Sequence, residues 1–274
     1  MKHYILVSCM LVLVSSLVLA QEYKSPESAA FYAPTKSYYV SNFGNGRLFQ
    51  IDSTGAKTVM DSSMTHSLGM IIKENVLYVV SNPKGVKGFD LASGENVLDL
   101  VLDESQFLND ITCAGNKLYV TDSQKGIIFE IDIPTKTYKP FSQTGSSDPN
   151  GILYDQKHDR LIVCHFKEQA PITAVNLKDK SIVTLVPPQY VNLDGLAIDE
   201  AGNIYVSSWG KGSFQAGFLE GGTIYKFDPD FKNDPEVYMS ALKGPADIYY
   251  NIAKNEMIIP VFLANQVIFK TDKK

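Results

Sequence analysis

The sequence is short of the residues that mark several common protein classes. It has three cysteines in 274 residues, with no metal-type spacing among them, so neither a disulfide scaffold nor a zinc ribbon is encoded. It has no run of lysine or arginine. Its 25 basic and 30 acidic side chains give a net charge of −5, which argues against nucleic acid or an anionic membrane as partner. It lacks a Gly-x-Ser-x-Gly elbow, a phosphate-binding loop and a Rossmann glycine pattern, since Gly44-Asn45-Gly46 wants the third glycine. Asp228-Pro229-Asp230 lacks the central glycine of an EF-hand. No window sustains a helical period. What remains is a chain of ordinary globular composition, 45% apolar and 20% charged, rich in Tyr and Phe with a single tryptophan, Trp209.

Met1-Lys2-His3 forms a short basic head, and residues 4–19 carry no charge and are mostly Leu, Val and Ile. Val18 and Ala20 supply the small side chains that a signal peptidase reads. Residues 1–20 are therefore expected to be a secretory signal. Residues 21–274 are then one exported domain, periplasmic or secreted, with no membrane contact after cleavage. Leu6-Val7-Ser8-Cys9 resembles a lipoprotein box but precedes the apolar core, and is discounted. Cleavage leaves Cys113 and Cys164, expected as two small buried hydrophobes rather than a disulfide.

A repeat organises the rest. Segments open at Pro26-Glu27-Ser28, Ser67-Leu68-Gly69, Leu108-Asn109-Asp110, Pro149-Asn150-Gly151, Leu193-Asp194-Gly195 and Pro245-Ala246-Asp247, spaced by 41, 41, 41, 44 and 52 residues. Each continues into a polar turn and a second apolar run, such as Lys117-Leu118-Tyr119-Val120-Thr121. A third run alternates with period two, such as Gly126-Ile127-Ile128-Phe129-Glu130-Ile131-Asp132. These are strands. Five segments carry a fourth run and the last does not. Four strands at this period, six times over, predict an all-β, six-bladed β-propeller. Residues 22–25 are expected to supply the missing outer strand of the last blade and so close the ring.

In a propeller the innermost strands line a central channel, so equivalent positions lie at one height around the axis. The second residue of each opening triplet reads Glu27, Leu68, Asn109, Asn150, Asp194, Ala246. Two carboxylates and two amides then converge. Buried unpaired, two like charges are costly, and a divalent cation offsets both. An all-oxygen set favours Ca²⁺ or Mg²⁺ over Zn²⁺, and a wide cage built from several strands favours Ca²⁺. Mg²⁺, Mn²⁺ and Zn²⁺ are the alternatives. Asp110 and Asp247, one residue on, should point away from the axis by strand alternation, though a local twist could bring either in, and they are held as second-layer candidates.

A second ring is expected at the ends of the second runs: Asn42, Asn82, Asp122, His165, Ser208 with Trp209, and Val261 with Phe262. His165 is the natural proton carrier there, and His66 is a weaker candidate on the same face. Trp209 opens a Gly-rich connection, residues 210–222, in which Phe214 and Phe218 suggest an aromatic cover over the channel mouth.

The opening motifs Pro26-Glu27, Leu108-Asn109-Asp110, Pro149-Asn150-Gly151 and Leu193-Asp194-Gly195, in register around one ring, resemble those of the regucalcin, gluconolactonase and luciferin-regenerating enzyme family. The resemblance spans about residues 24–271. It implies a six-bladed propeller with one divalent metal in the channel, hydrolysing lactones or related esters. Glu27, Asn150 and Asp194 match the metal ligands. Asn109 matches a residue that binds metal, or its water and substrate, and Asp194 also matches the general base. Phe107 stands where sugar-lactonase members carry an arginine that contacts sugar hydroxyls, which points to a more apolar substrate. A monomer acting on a small lactone or ester is the expectation. The alternative is a non-catalytic secreted propeller that binds a ligand or protein partner around a structural metal.

Overall fold

The computed structural model describes residues 22–218 and 221–272. The expected signal, residues 1–20, lies outside them. Five antiparallel four-stranded sheets and one three-stranded sheet form six blades of a β-propeller. Among the described residues there is no α-helix, only two short 3₁₀ turns. The first strands are Pro26–Tyr32, His66–Lys73, Leu108–Ala114, Pro149–Asp155, Leu193–Ile198 and Tyr249–Asn251. Each packs against the first strand of the next blade, and the ring closes from the last blade to the first.

A blade has two faces, and period-two alternation makes both of them apolar. The six hydrophobic clusters therefore fall one at each of the six interfaces. Leu68, Val80 and Val86 of the second blade meet Leu108, Leu118 and Phe129 of the third. The other interfaces repeat the scheme, down to the smallest, where Ala29 and Tyr38 of the first blade meet Ile258 of the last. Burial of these faces drives assembly, because one blade alone has nothing to cover either side.

The inner strands carry a shared irregularity. Register shifts fall between Pro26 and Ala29, Ser67 and Met70, Pro149 and Ile152, and Leu193 and Leu196. The third blade has the same shift opposite Val120 and Asp122. A bulge thus sits at the opening triplet of each full blade and breaks simple alternation. Here Asp110 and Asp247 depart from the expectation that they face away from the axis. Both are buried and line a cavity of about 220 Å³ at the other end of the channel. Glycine makes room for them. A Cβ on Gly69 would lie 2.2 Å from Asp110 Oδ1, and one on Gly195 would lie 2.3 Å from Asp247 Cα.

Closure also differs from expectation. The last blade keeps three strands. Residues 22–25 run instead along the loop of the first blade, where Phe43 N donates to Ser25 O (2.9 Å) and Gly44 N to Lys24 O (3.0 Å). Tyr23 packs edge-on to Phe49, with Lys57 Nζ over its ring. The ring is joined by Ser28 Oγ donating to Asp247 Oδ2, by Asp247 N donating to Glu27 O (2.9 Å), and by Tyr38 OH donating to Glu256.

Candidate functional site

The bulges turn the second residue of several opening triplets into one chamber. Glu27, Leu68, Asn109, Asn150 and Asp194 all line a cavity of about 410 Å³ to which every blade contributes. Ala246, the sixth equivalent position, is not part of its lining. Glu27, Asn109, Asn150 and Asp194 are at most 7% exposed, so the two carboxylates and two amides are held largely out of water.

The electrostatics follow from that burial. Glu27 is pushed well above the usual carboxylate range, first by desolvation and then by the negative charges of Asp194, Asp247 and Asp110. Asp194 is raised by desolvation and by Asp110, with the Trp209 side chain acting the other way and favouring the charged form. Desolvation raises Asp110 to about 7 against the donors Ile152 N and Ile111 N. Four acids thus lie close enough along one channel to disturb each other. Asp194 Oδ1 and Trp209 Nε1 are both buried without a hydrogen-bond partner of normal geometry, although the indole is near enough to act on the carboxylate. The Asp194 backbone carbonyl accepts from Cys164 Sγ (2.8 Å), and both described cysteines are free thiols.

These residues suit a hard divalent cation. Among the described residues no three His, Cys, Asp or Glu side chains gather as a metal group by themselves. The set in the chamber is two carboxylates with two amide side chains, the oxygen-rich chemistry that Ca²⁺ accepts. The orphaned Asp194 Oδ1 and the repulsion that Asp194 exerts on Glu27 are what a bound positive charge would relieve. Asn109 Nδ2 donates to Ser123 Oγ (3.2 Å), so its carbonyl oxygen is the atom it can offer.

The second ring is displaced by one residue. Trp209 and Phe262 line the chamber as expected, while the polar members end their strands as buried braces. Asn42 Oδ1 accepts from Lys24 N (2.9 Å), Asn82 Nδ2 donates to Leu108 O (2.7 Å), and Ser208 Oγ donates to Val191 O (2.6 Å). Asp122 accepts from the backbone N–H groups of Gln106, Phe107 and Lys125, so it shapes the loop that carries Phe107 and does not reach the chamber. His165 is fully buried away from the chamber, bonded through Nδ1 to Ser147 O (2.9 Å) and through Nε2 to Thr173 Oγ1 (3.0 Å). Desolvation lowers its pKa to about 4 and keeps it neutral. His66 also stays outside the lining, its Nδ1 donating to Phe43 O and its ring stacked on Phe43 at 4.3 Å.

In every blade but the second, the residue following the strand end is what faces the chamber. Phe43, Ser123, Phe166, Trp209 and Phe262 all line it, as do Phe107 and Asp148 from preceding loops. Of these, Phe43, Ser123, Phe166 and Asp148 are additions to the residues read from the sequence. The signal was available as one aromatic directly after the last strand residue in four of the six repeats. The connection after Trp209 forms a small hairpin of Gly212–Ser213 and Gly217–Phe218 that brings Phe214 to the lining.

No protein-family model and no curated protein matches the sequence. Solved structures match in shape. A gluconolactonase from Xanthomonas campestris superposes with a TM-score of 0.73 at 14% identity, covering 90% of this chain and 86% of that one. A calcium-binding regucalcin from Agrobacterium tumefaciens gives 0.67 at 16% identity, covering 87% and 82%. A chain of a nidogen/laminin complex gives 0.64 at 13% identity, covering 85% and 93%. At these identities the likeness is one of fold, a six-bladed propeller of the gluconolactonase and regucalcin type.

Proposed function

We propose that this chain is an exported, metal-dependent hydrolase of lactones or related esters. The observation that carries this reading is the pair Glu27 and Asp194, buried in one open chamber with Asn109 and Asn150, with Asp194 Oδ1 left without a partner. The gluconolactonase and regucalcin neighbours lend it support through shared architecture.

Glu27, Asn150 and Asp194 would hold the cation, with Asn109 beside them. Bound there, a divalent cation supplies a Lewis acid that polarises an ester carbonyl and stabilises the negative charge developing on its oxygen. Asp194 has the tasks of holding or deprotonating the attacking water, or of attacking directly, because its carboxylate opens onto the chamber and is short of hydrogen-bond donors. Burial and Asp110 hold that carboxyl well above the usual range, and the Trp209 indole offsets part of this. Asn109, fixed by Ser123, orients water or substrate through its carbonyl oxygen. The aromatic mouth limits bulk water at the reacting carbonyl.

The test is turnover by purified protein across a lactone and ester panel with added Ca²⁺, Mg²⁺, Mn²⁺ or Zn²⁺. Metal-dependent hydrolysis that Asp194→Ala abolishes is expected. Full turnover by Asp194→Ala would overturn this mechanism.

A second reading is a secreted propeller that binds without chemistry. It is favoured by the fold's occurrence in the nidogen/laminin structure. Metal that raises the melting temperature, with no ester hydrolysed under any metal, would establish it in place of the first.

A further inference from the structure

The chamber has two unlike halves. Its floor is polar and acidic. Its wall is aromatic, and the aromatics are placed by the repeat itself, since Phe43, Phe166, Trp209 and Phe262 each follow the last residue of a second strand. They hold one another in edge-to-face and tilted ring contacts. Trp209 lies 5.4 Å from Phe166 with planes at 85°, 5.0 Å from Phe262 at 51°, and 5.4 Å from Phe214 at 62°. Such a cluster is braced before any ligand arrives, and a preorganised wall loses little freedom on binding. Yet it is not covered, for Phe214 remains 63% exposed.

Among the described residues the lining contains no lysine, arginine or histidine. Its hydroxyl, Ser123 Oγ, already donates to Pro149 O (2.6 Å) and accepts from Asn109. The remaining polar groups are the floor residues, the Trp209 indole N–H, which is buried beside Asp194, and the Asp148 side chain. A polyhydroxylated ligand would lose water on entering and find few partners along the wall. An anionic one would find acids and no cationic side chain.

We propose that the chamber selects its substrate by a neutral aromatic ring seated on the wall of Phe43, Phe166, Trp209, Phe214 and Phe262, with the ester or lactone carbonyl turned to the floor. A volume of about 410 Å³ accommodates a fused bicyclic molecule with room for solvent. The carbonyl half of the statement rests on the hydrolase reading. The aromatic half is a binding property and stands apart from it.

The chain's single tryptophan is Trp209, so its fluorescence reports occupancy of the wall directly. The probe is 1-indanone, a neutral aromatic ketone that has no ester to hydrolyse, titrated into the calcium-loaded protein by fluorescence and by calorimetry. Glucono-δ-lactone is the comparison ligand, and dihydrocoumarin is the matched aromatic lactone for turnover. The expected result is saturable binding of indanone, at least about tenfold tighter than glucono-δ-lactone. Phe214→Ala, at an exposed position, should weaken indanone roughly fivefold or more without moving the melting temperature. Dihydrocoumarin should exceed glucono-δ-lactone in kcat/KM by about the same tenfold. No saturable indanone signal, equal or tighter binding of the sugar lactone, or an unaffected Phe214→Ala would overturn the inference. Indanone binding with no ester turned over would uphold the aromatic subsite and remove the hydrolase reading.

Discussion

Ser28 Oγ donates to the Asp247 carboxylate across the seam between the first and last blades. This bond carries unusual weight because the seam has the smallest apolar cluster of the six, built on Ala29, Tyr38 and Ile258. The seam also lacks a strand shared between the two chain ends. Ring closure therefore leans on polar groups buried beside the channel. Ser28→Ala should destabilise the protein by roughly 1–3 kcal/mol, the range for leaving a buried hydrogen-bond partner unsatisfied. Urea unfolding measures the loss. Hydrogen exchange should show the inner strand Pro26–Tyr32 opening first. Exchange spread evenly over all blades would show that the seam is no weaker than the rest.

Burial, then the charges of Asp194, Asp247 and Asp110, raises the cost of ionising Glu27, and burial with Asp110 raises that of Asp194, so the metal-free chamber is strained by charge. The sign is definite. A carboxyl whose folded pKa lies above its unfolded value contributes stability below the unfolded pKa, and that stability is lost as pH rises through the folded one. Metal-free protein should thus melt lower as pH rises from acid toward neutral. Asp194→Asn should melt higher than wild type in EDTA at neutral pH. Saturating Ca²⁺, at a hundredfold over Kd, should stabilise wild type by about 2.7 kcal/mol and the variant hardly at all. Differential scanning fluorimetry with and without Ca²⁺ checks both, and an equal calcium response in the two proteins would remove Asp194 from the ligand set.

The repeat made the polar floor legible, because equivalent positions of a propeller must share one height. It misled where alternation alone was used to orient side chains. The bulge at each opening triplet turned Asp110 and Asp247 into the channel, and no residue type announces a bulge there except the glycines beside them. Trp209 and Phe262 were legible at the mouth, but in the first, third and fourth blades the reading fell one position short. The polar strand ends Asp122 and His165 drew attention as chemical groups. A strand end must also satisfy loop backbone, and those side chains do that inside the fold, leaving Phe166 and Ser123 to face the chamber.

Gly195 tests the close approach of inner strands. Its added Cβ would meet Asp247 Cα at 2.3 Å and Ile248 N at 2.7 Å, which are backbone atoms that cannot rotate aside. Overpacking of this kind typically costs about 1–3 kcal/mol, and a backbone collision belongs at the upper end. Gly195→Ala should lower the urea midpoint sharply at an unchanged m-value. A midpoint within error of wild type would mean that the fifth and sixth blades can part without loss.

His165 gives a pH dependence separate from the chamber. It is neutral in the fold with a pKa of about 4, while an unfolded histidine titrates near 6.5. Above that upper value both states are neutral and His165 contributes no pH dependence. As pH falls the unfolded chain takes up the proton first, so stability is lost between about 6.5 and about 4. The loss amounts to about 2 kcal/mol by pH 5 and roughly 3 kcal/mol at its limit. His165→Gln removes this proton uptake while keeping a side chain able to bond Ser147 O or Thr173 Oγ1. Whatever the variant loses at pH 8, the difference between it and wild type should narrow by about 2 kcal/mol at pH 5. Parallel stability curves for the two proteins over that range would show that the folded imidazole titrates as it does in the unfolded chain.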